Sequence, residues 1–254
     1  MDRTNYLERI NYKGELNISI GVLSAIQEAQ LLSVPFENLD IFMKRAIIID
    51  LESLYRKIVI NRRGGFCYEL NGLFQLLLNE LGFKTKILSA RVYNKKTKTY
   101  GQEFDHMTIL IDLDNWLWLV DVGFGDFSLH PLKFILNKPI EDKNGKFLFD
   151  TSDNFYFRIS KYSEDEQTYI PEYTFSLTER NLSDFSNMCQ YHQTSSESHF
   201  THNRICSLAT QNGRISLTDD KLIITENRIR NEFPITDKKE FNQSLLQYFN
   251  ITLV

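Results

Sequence analysis

The period of the hydrophobic pattern changes once along this chain, and that change limits what it can fold into. Up to Gly82 apolar residues recur every three or four positions; from about Lys86 they alternate. Leu23, Ile26 and Ala29 mark a helix that Pro35 stops. In DLESLYRKIVI, Asp50 suits an N-cap, and Leu51, Leu54, Tyr55 and Ile58 share a face. The next helix lies in RRGGFCYELNGLFQLLLNELGF. There Leu70, Leu73, Phe74, Leu77, Leu78 and Leu81 form one stripe, and Gly82 fits the position just past a helix end. Beyond it, KILSARVY, HMTILIDL, WLWLVDVGF, FYFRIS, YTFSL, RICSLAT, GRISL and KLIITE read as strands, with Asn212-Gly213 as a tight hairpin turn. A helix around LSDFSNMCQYHQ interrupts them. The final helix, KKEFNQSLLQYFN, carries Phe241, Leu245, Leu246 and Phe249 on one side. Helices, then antiparallel strands, then a mixed end imply an α+β fold whose subdomains share a core.

Composition narrows the function classes. A chain of 254 residues with 42% hydrophobic residues can bury a large core. Its net charge of −4 leaves no electrostatic footprint for nucleic acid or an anionic membrane. The N-terminus lacks the apolar core of a signal peptide, and no run approaches the ~18 apolar residues that span a bilayer. Three cysteines are too few for a disulfide framework. A cytoplasmic protein with reduced thiols is the expectation.

One of those thiols has an unusual address. Cys67 lies three residues before Leu70 and seven before Phe74, so its side chain belongs to the buried stripe. It also sits in the first helical turn, where free N–H groups and the helix dipole favour a thiolate nucleophile. Gly64 and Gly65 are expected to leave room above the sulfur for an incoming group. The commoner fate of such a cysteine is inert packing, so chemistry needs a base and a group to orient it. His106 opens the strand HMTILIDL, and Asp114-Asn115 separates that strand from WLWLVDVGF. A hairpin centred on Asp114-Asn115 opposes 113 to 116 and 108 to 121. His106 and Asp121 then become diagonal neighbours on one face, about 7–8 Å apart at the backbone, and a one-residue slip would separate them.

These pieces together resemble a known family. RGGFCYE, VPFENLD, the lone His106 opening a strand, LVDVGFG, and the terminal YLERINY and LLQYFNITL are similar to the arylamine N-acetyltransferases, bacterial type, over essentially the whole chain. The resemblance implies a papain-like cysteine core: a helical bundle over residues 1–84, an antiparallel β-barrel over 85–190 and an α/β lid over 191–254. It implies ping-pong acetyl transfer from acetyl-CoA to an arylamine, arylhydrazine or N-hydroxyarylamine, with coenzyme A as co-substrate and no metal. On that basis Cys67 is the acyl-accepting nucleophile, His106 its base, and Asp121 the orienter of His106. Phe36, Val92 and Phe124 line the acceptor pocket, Gly123 and Gly125 keep the mouth open for the pantetheine arm, and the backbone N–H of Tyr68 is a candidate oxyanion donor. Arg63, Glu37, Asn38 and Glu69 are expected to form a structural network around the helix. The chain departs from the family pattern at Gln30, where a histidine is common, at Cys189, where asparagine is usual, and at Glu197, where proline is usual.

Two other readings use the same residues. A cysteine hydrolase, protease- or transglutaminase-like, would employ the same Cys-His-Asp set. A small-molecule binding module would leave Cys67 inert. Cys189, His192, His199, His202 and Cys206 superficially resemble zinc ligands, but their spacing matches no standard pair and Cys206 falls in a strand.

Overall fold

A computed structural model describes residues 1–253. The helical third comprises Arg3–Arg9, Ile20–Ser33, Leu39–Phe42, Leu51–Tyr55 with its π-helical extension Arg56–Ile60, and Cys67–Glu80. The caps follow the sequence: Asp50 accepts from the Ser53 N–H at 2.9 Å, and Gly82 takes φ +95° after the Cys67 helix. All six residues of the predicted stripe, Leu70 to Leu81, are buried, in a cluster with Leu23, Ile26, Ile109 and Val120. Two predicted apolar positions face water instead. Leu51 is 48% exposed, and Leu246 in the final helix (Lys238–Phe249) is 52% exposed, while Phe241, Leu245 and Phe249 are buried. Each lies beside the buried side of its helix rather than on it, a side occupied by Leu54 in the first and by Phe241, Leu245 and Phe249 in the second.

Eight antiparallel strands form the middle of the molecule. Their order is 132–133, 116–120, 106–113, 84–94, 168–180, 157–163, 145–151 and 139–142. The sheet curls into a nearly closed barrel, and a bridge from Leu136 to Phe149 spans the gap. Its interior is aromatic: Phe147, Phe149, Tyr173 and Phe175 are fully buried there. The hairpin register is the expected one, with Leu113 opposite Trp116 and Ile109 opposite Val120. Asp114 and Asn115 both adopt positive φ, which the twist of a two-residue hairpin requires. The strand ends at Val120 rather than running on to Phe124. The strands 139–142, 145–151 and 229–234 have no counterpart in the sequence reading; 229–234 is exposed throughout, so it carries no alternation to read.

The C-terminal five-stranded sheet contains a strand from the other end of the chain. Phe36–Glu37 forms its edge and pairs with Ser207 and Cys206, followed by 205–210, 213–218, 221–226 and 229–234. The turn between 205–210 and 213–218 is Gln211-Asn212, one residue earlier than expected, and Gly213 begins the strand. A Cβ on Gly213 would lie 2.0 Å from the Thr225 carbonyl oxygen, so glycine there serves strand approach rather than the turn. Among the described residues no helix is long and apolar enough to cross a membrane.

A buried ion cluster fastens the helical third around the start of the Cys67 helix. Arg63 lies 2.7 Å from Glu37 and 3.2 Å from Asp40, and Lys57 lies 2.7 Å from Asp40 and 2.8 Å from Glu69. Asn38 is not part of it. Its amide donates to the Phe200 and Asn203 carbonyls and accepts from the Ile205 N–H, tying the helices to the C-terminal sheet. Burial alone would pull the Lys57 ammonium down, but the three carboxylates more than offset it. Three carboxylates share two cations, so burial, reinforced by Glu37 and opposed by Lys57, pushes the Glu69 carboxyl up to about 7.

Removing a cation from this cluster leaves buried charge uncompensated, so Lys57→Ala should cost about 3–5 kcal/mol in urea unfolding. The raised Glu69 value has a defined sign. Folded Glu69 holds a proton that the unfolded chain has released between its ordinary 4.5 and about 7, so stability falls as pH rises through that window. Glu69→Gln should flatten that slope, and an unchanged slope would place the proton elsewhere.

Candidate active site

The site is assembled where the Cys67 helix meets the barrel. Phe66 N-caps the helix, and the Glu69 carboxylate accepts its N–H at 3.0 Å. The first-turn N–H groups of Cys67 and Tyr68 precede the intrahelical ladder and lack an acceptor within it. Gly64 and Gly65 do not act by opening space above the sulfur. A Cβ on Gly64 would lie 2.0 Å from the Pro35 carbonyl oxygen, and Gly65 exchanges backbone hydrogen bonds with Pro35 and Glu37. The glycines let the segment before Cys67 lie backbone-to-backbone against Pro35–Glu37, which fixes where the helix begins.

The room above the sulfur comes from the barrel side. Gly123 packs so closely on the helix start that a Cβ there would lie 2.8 Å from the Cys67 Cα and from the Asn71 amide nitrogen. Gly125, at φ +77°, has open space where a Cβ would be. Its carbonyl accepts from Arg214, whose guanidinium also donates to the Ser207 hydroxyl at 3.0 Å, linking this loop to the C-terminal sheet.

His106 Nε2 lies 2.6 Å from Asp121 Oδ2, which leaves Nδ1 as the ring's other proton site. Asp121 is fully buried and takes three more hydrogen bonds. Oδ2 accepts from the Tyr173 hydroxyl at 3.0 Å, and Oδ1 accepts from the Asn71 amide and the Gly123 N–H, each at 3.0 Å. Burial raises the Asp121 carboxyl, but the His106 charge and these donors outweigh it and hold it below the usual carboxylate range. Phe124 stands edge-on to His106 with ring centroids 5.0 Å apart.

The Cys67 thiol behaves differently from the expectation drawn from its helix position. It is 3% exposed, and burial, reinforced by the Asp121 charge, pushes it well above its ordinary value. A hydrogen bond from the Met107 backbone opposes this without reversing it. Burial of the sulfur thus outweighs the helix field in setting the direction of the shift.

Cys67, His106, Phe36, Val92, Gly123, Phe124 and Gly125 line one cavity of about 1400 Å³ between barrel and C-terminal sheet. Asp121 lies behind His106, out of the cavity. The Tyr68 side chain points away, its hydroxyl donating to the Phe104 carbonyl at 2.7 Å. Asn71 and Tyr173 were missed by the sequence reading. Asn71 had one signal, a polar residue on the apolar stripe one turn after Cys67; besides Asp121 it bonds the Met107 carbonyl and the Val122 N–H. Tyr173 had none, being one aromatic among many in a distant strand. Of the five residues with zinc-like order, His192 and His199 are ring neighbours at 6.4 Å, but no group of three or more His, Cys, Asp or Glu among the described residues is set to hold a metal ion.

Comparison with known proteins places this geometry in context. An N-acetyltransferase family model matches residues 19–254. The arylamine N-acetyltransferase pineal gland isozyme NAT-10 of Gallus gallus is 33% identical, covering 100% of this chain and 95% of its own. An arylamine N-acetyltransferase of Bacillus cereus, described as having a Cys-His-Glu catalytic triad, superposes with a TM-score of 0.91 at 27% identity over the full length of both chains. That of Mycobacterium marinum, solved in complex with CoA, gives 0.90 at 28% identity, covering 98% of this chain and 93% of its own. Here the carboxylate on the histidine is an aspartate.

Asn71→Ala should leave Asp121 Oδ1 and the Val122 N–H short of a partner and cost about 1–3 kcal/mol in denaturant unfolding.

Proposed function

The chain belongs to the arylamine N-acetyltransferase family, and from that premise we propose that Cys67 carries an acetyl group from acetyl-CoA to an aromatic amine, hydrazine or hydroxylamine. One observation carries the assignment of residues: Cys67 and His106 line one cavity, His106 is paired at 2.6 Å with Asp121 behind it, and Gly123 packs directly on the nucleophile's backbone.

In the first half-reaction the Cys67 thiol gives its proton to His106 Nδ1 as the sulfur attacks the acetyl carbonyl. Asp121, holding Nε2–H, fixes the tautomer that leaves Nδ1 free to accept and stabilises the imidazolium that results. Burial makes a lone thiolate costly, so proton transfer and attack are coupled through this pair. The tetrahedral oxyanion is met by first-turn N–H groups, with that of Tyr68 the candidate donor. Collapse expels CoA as its thiol, which takes the proton back from His106 and leaves the acetyl thioester on Cys67. In the second half-reaction the amine attacks that thioester, His106 accepts the amine proton, and the Cys67 sulfur leaves and is reprotonated.

The cavity wall supports an aromatic acceptor. Phe36 and Phe124 offer flat apolar faces and Val92 a third, which suits an aryl ring and discourages water from reaching the thioester. Gly125 leaves the approach free for the pantetheine arm of coenzyme A, while Gly123 lets the loop pack on the start of the Cys67 helix. Three free, buried cysteines fit a reducing compartment such as the cytoplasm.

Incubation with acetyl-CoA should add one acetyl group by intact mass, removed on adding an arylamine and absent in Cys67→Ala; acetyl transfer by that variant would refute the nucleophile. Asp121→Asn should lower kcat/KM by a factor on the order of 10³–10⁴, since one oxygen that accepts from two donors becomes a donor and the imidazole loses its preferred tautomer. Near-normal turnover would remove Asp121 from the set.

A further inference from the structure

A second carboxylate–imidazole pair stands beside the first, and acetyl transfer as described makes no use of it. Asp105 immediately precedes His106 and lines the same cavity as Cys67. Its Oδ1 lies 3.1 Å from Nε2 of His192, close enough for an ion pair though off the in-line direction of a hydrogen bond. His192 is only 3% exposed, and its other nitrogen, Nδ1, meets the Ser198 hydroxyl at 3.0 Å.

The placement is built into the backbone. Phe104 holds φ +68°, which a bulky residue adopts only under constraint. The Tyr68 hydroxyl binds the carbonyl of Phe104 at 2.7 Å and that of Asp105 at 3.2 Å. The other Asp105 oxygen fills the space where a Cβ on Gly101 would sit, only 2.2 Å from that position. The backbone of Asp105 is thus held by Tyr68, and its carboxylate faces His192.

We propose that Asp105 and His192 are a positioning pair that sets the charge beside the Cys67 sulfur. This rests on Cys67 being the nucleophile. With His192 protonated, the Asp105 charge is neutralised and the sulfur ionises more readily; with His192 neutral, Asp105 is a bare negative charge that opposes the thiolate. The titratable groups facing His192 are Tyr68 from the Cys67 helix, Asp105 from the loop, Cys189 and Tyr191 from its own helix (Ser186–Thr194), and His199 from the turn that follows. Of these only Asp105 is a carboxylate. His199, which also lines the cavity, is pushed below its ordinary value by burial and by His192. The Asp105 charge also acts on the Cys67 thiol in the expected upward direction, after burial and Asp121.

The test is the pH dependence of Cys67 alkylation by iodoacetamide in the full chain, read on the Cys67 peptide by mass, alongside the acetyl-CoA reaction of each variant. Asp105→Asn should speed alkylation about three- to tenfold at neutral pH, a shift of a half to one unit in the thiol. His192→Phe should slow it, because Asp105 then loses the imidazole that faces it. The double variant should behave as Asp105→Asn alone. If His192→Phe misfolds, His192→Gln serves in its place, and Asp105→Asn remains a complete test by itself. An Asp105→Asn profile that overlays the parent, or a His192 effect that persists without Asp105, would overturn the proposal. Failure of the parent protein to acylate Cys67 would instead defeat the functional reading on which the proposal rests.

Discussion

A carboxylate cut off from water must have its lone pairs occupied, and Asp121 meets that demand by drawing donors from four separate parts of the chain. His106 comes from the adjacent strand, Asn71 from the Cys67 helix, Gly123 from the loop that follows Asp121, and Tyr173 from a strand on the far side of the 84–94 strand. None of these can shift without leaving a buried charge exposed to a low-dielectric interior. The helix, the barrel and the loop are therefore registered against one another by one side chain. The cavity takes its shape from that registration: Gly123 is pressed on Cys67 because its N–H is held by Asp121, and Phe124 stands over His106 as the next residue along.

The Cys67 helix is held from its other side by opposite means. The Lys57–Arg63 cluster is over-supplied with negative charge, and a carboxyl near neutrality absorbs the excess. Hydrogen bonding with a fixed geometry faces the site; a diffuse ion cluster able to exchange a proton faces away from it. The separation means that charge adjustment behind the helix does not disturb the donors in front of it.

Local pattern made much of this legible. The stripe from Leu70 to Leu81 fixed the orientation of the Cys67 helix, and the Asp114-Asn115 turn fixed the register that brings His106 and Asp121 to one face. The period-two segments gave the barrel strands. What escaped was whatever depends on pairing at long range or on a single atom. The two residues Phe36–Glu37 are too short to show alternation, yet they form the edge of a sheet more than 160 positions away in sequence. Gly213 looked like half of a turn and proved to be a close strand contact. The elevated Cys67 thiol escaped for another reason: helix position predicts the field, while burial, a property of the assembled fold, outweighs it here. Tyr173 and the His192–Asp105 contact leave no local trace.

The pairing of Phe36 with Ser207 also bears on the order in which the molecule comes into being. Phe36 leaves the ribosome roughly 170 residues before its partner exists, and contacts of such separation form late because the intervening loop must close first. The helices can gather around the Leu70–Leu81 stripe while the rest is still being made, and so can the hairpin that carries His106. The aromatic wall at Phe36 cannot be completed until the C-terminal sheet arrives. During synthesis, then, the cavity between the barrel and the C-terminal sheet is the last part of the molecule to take shape.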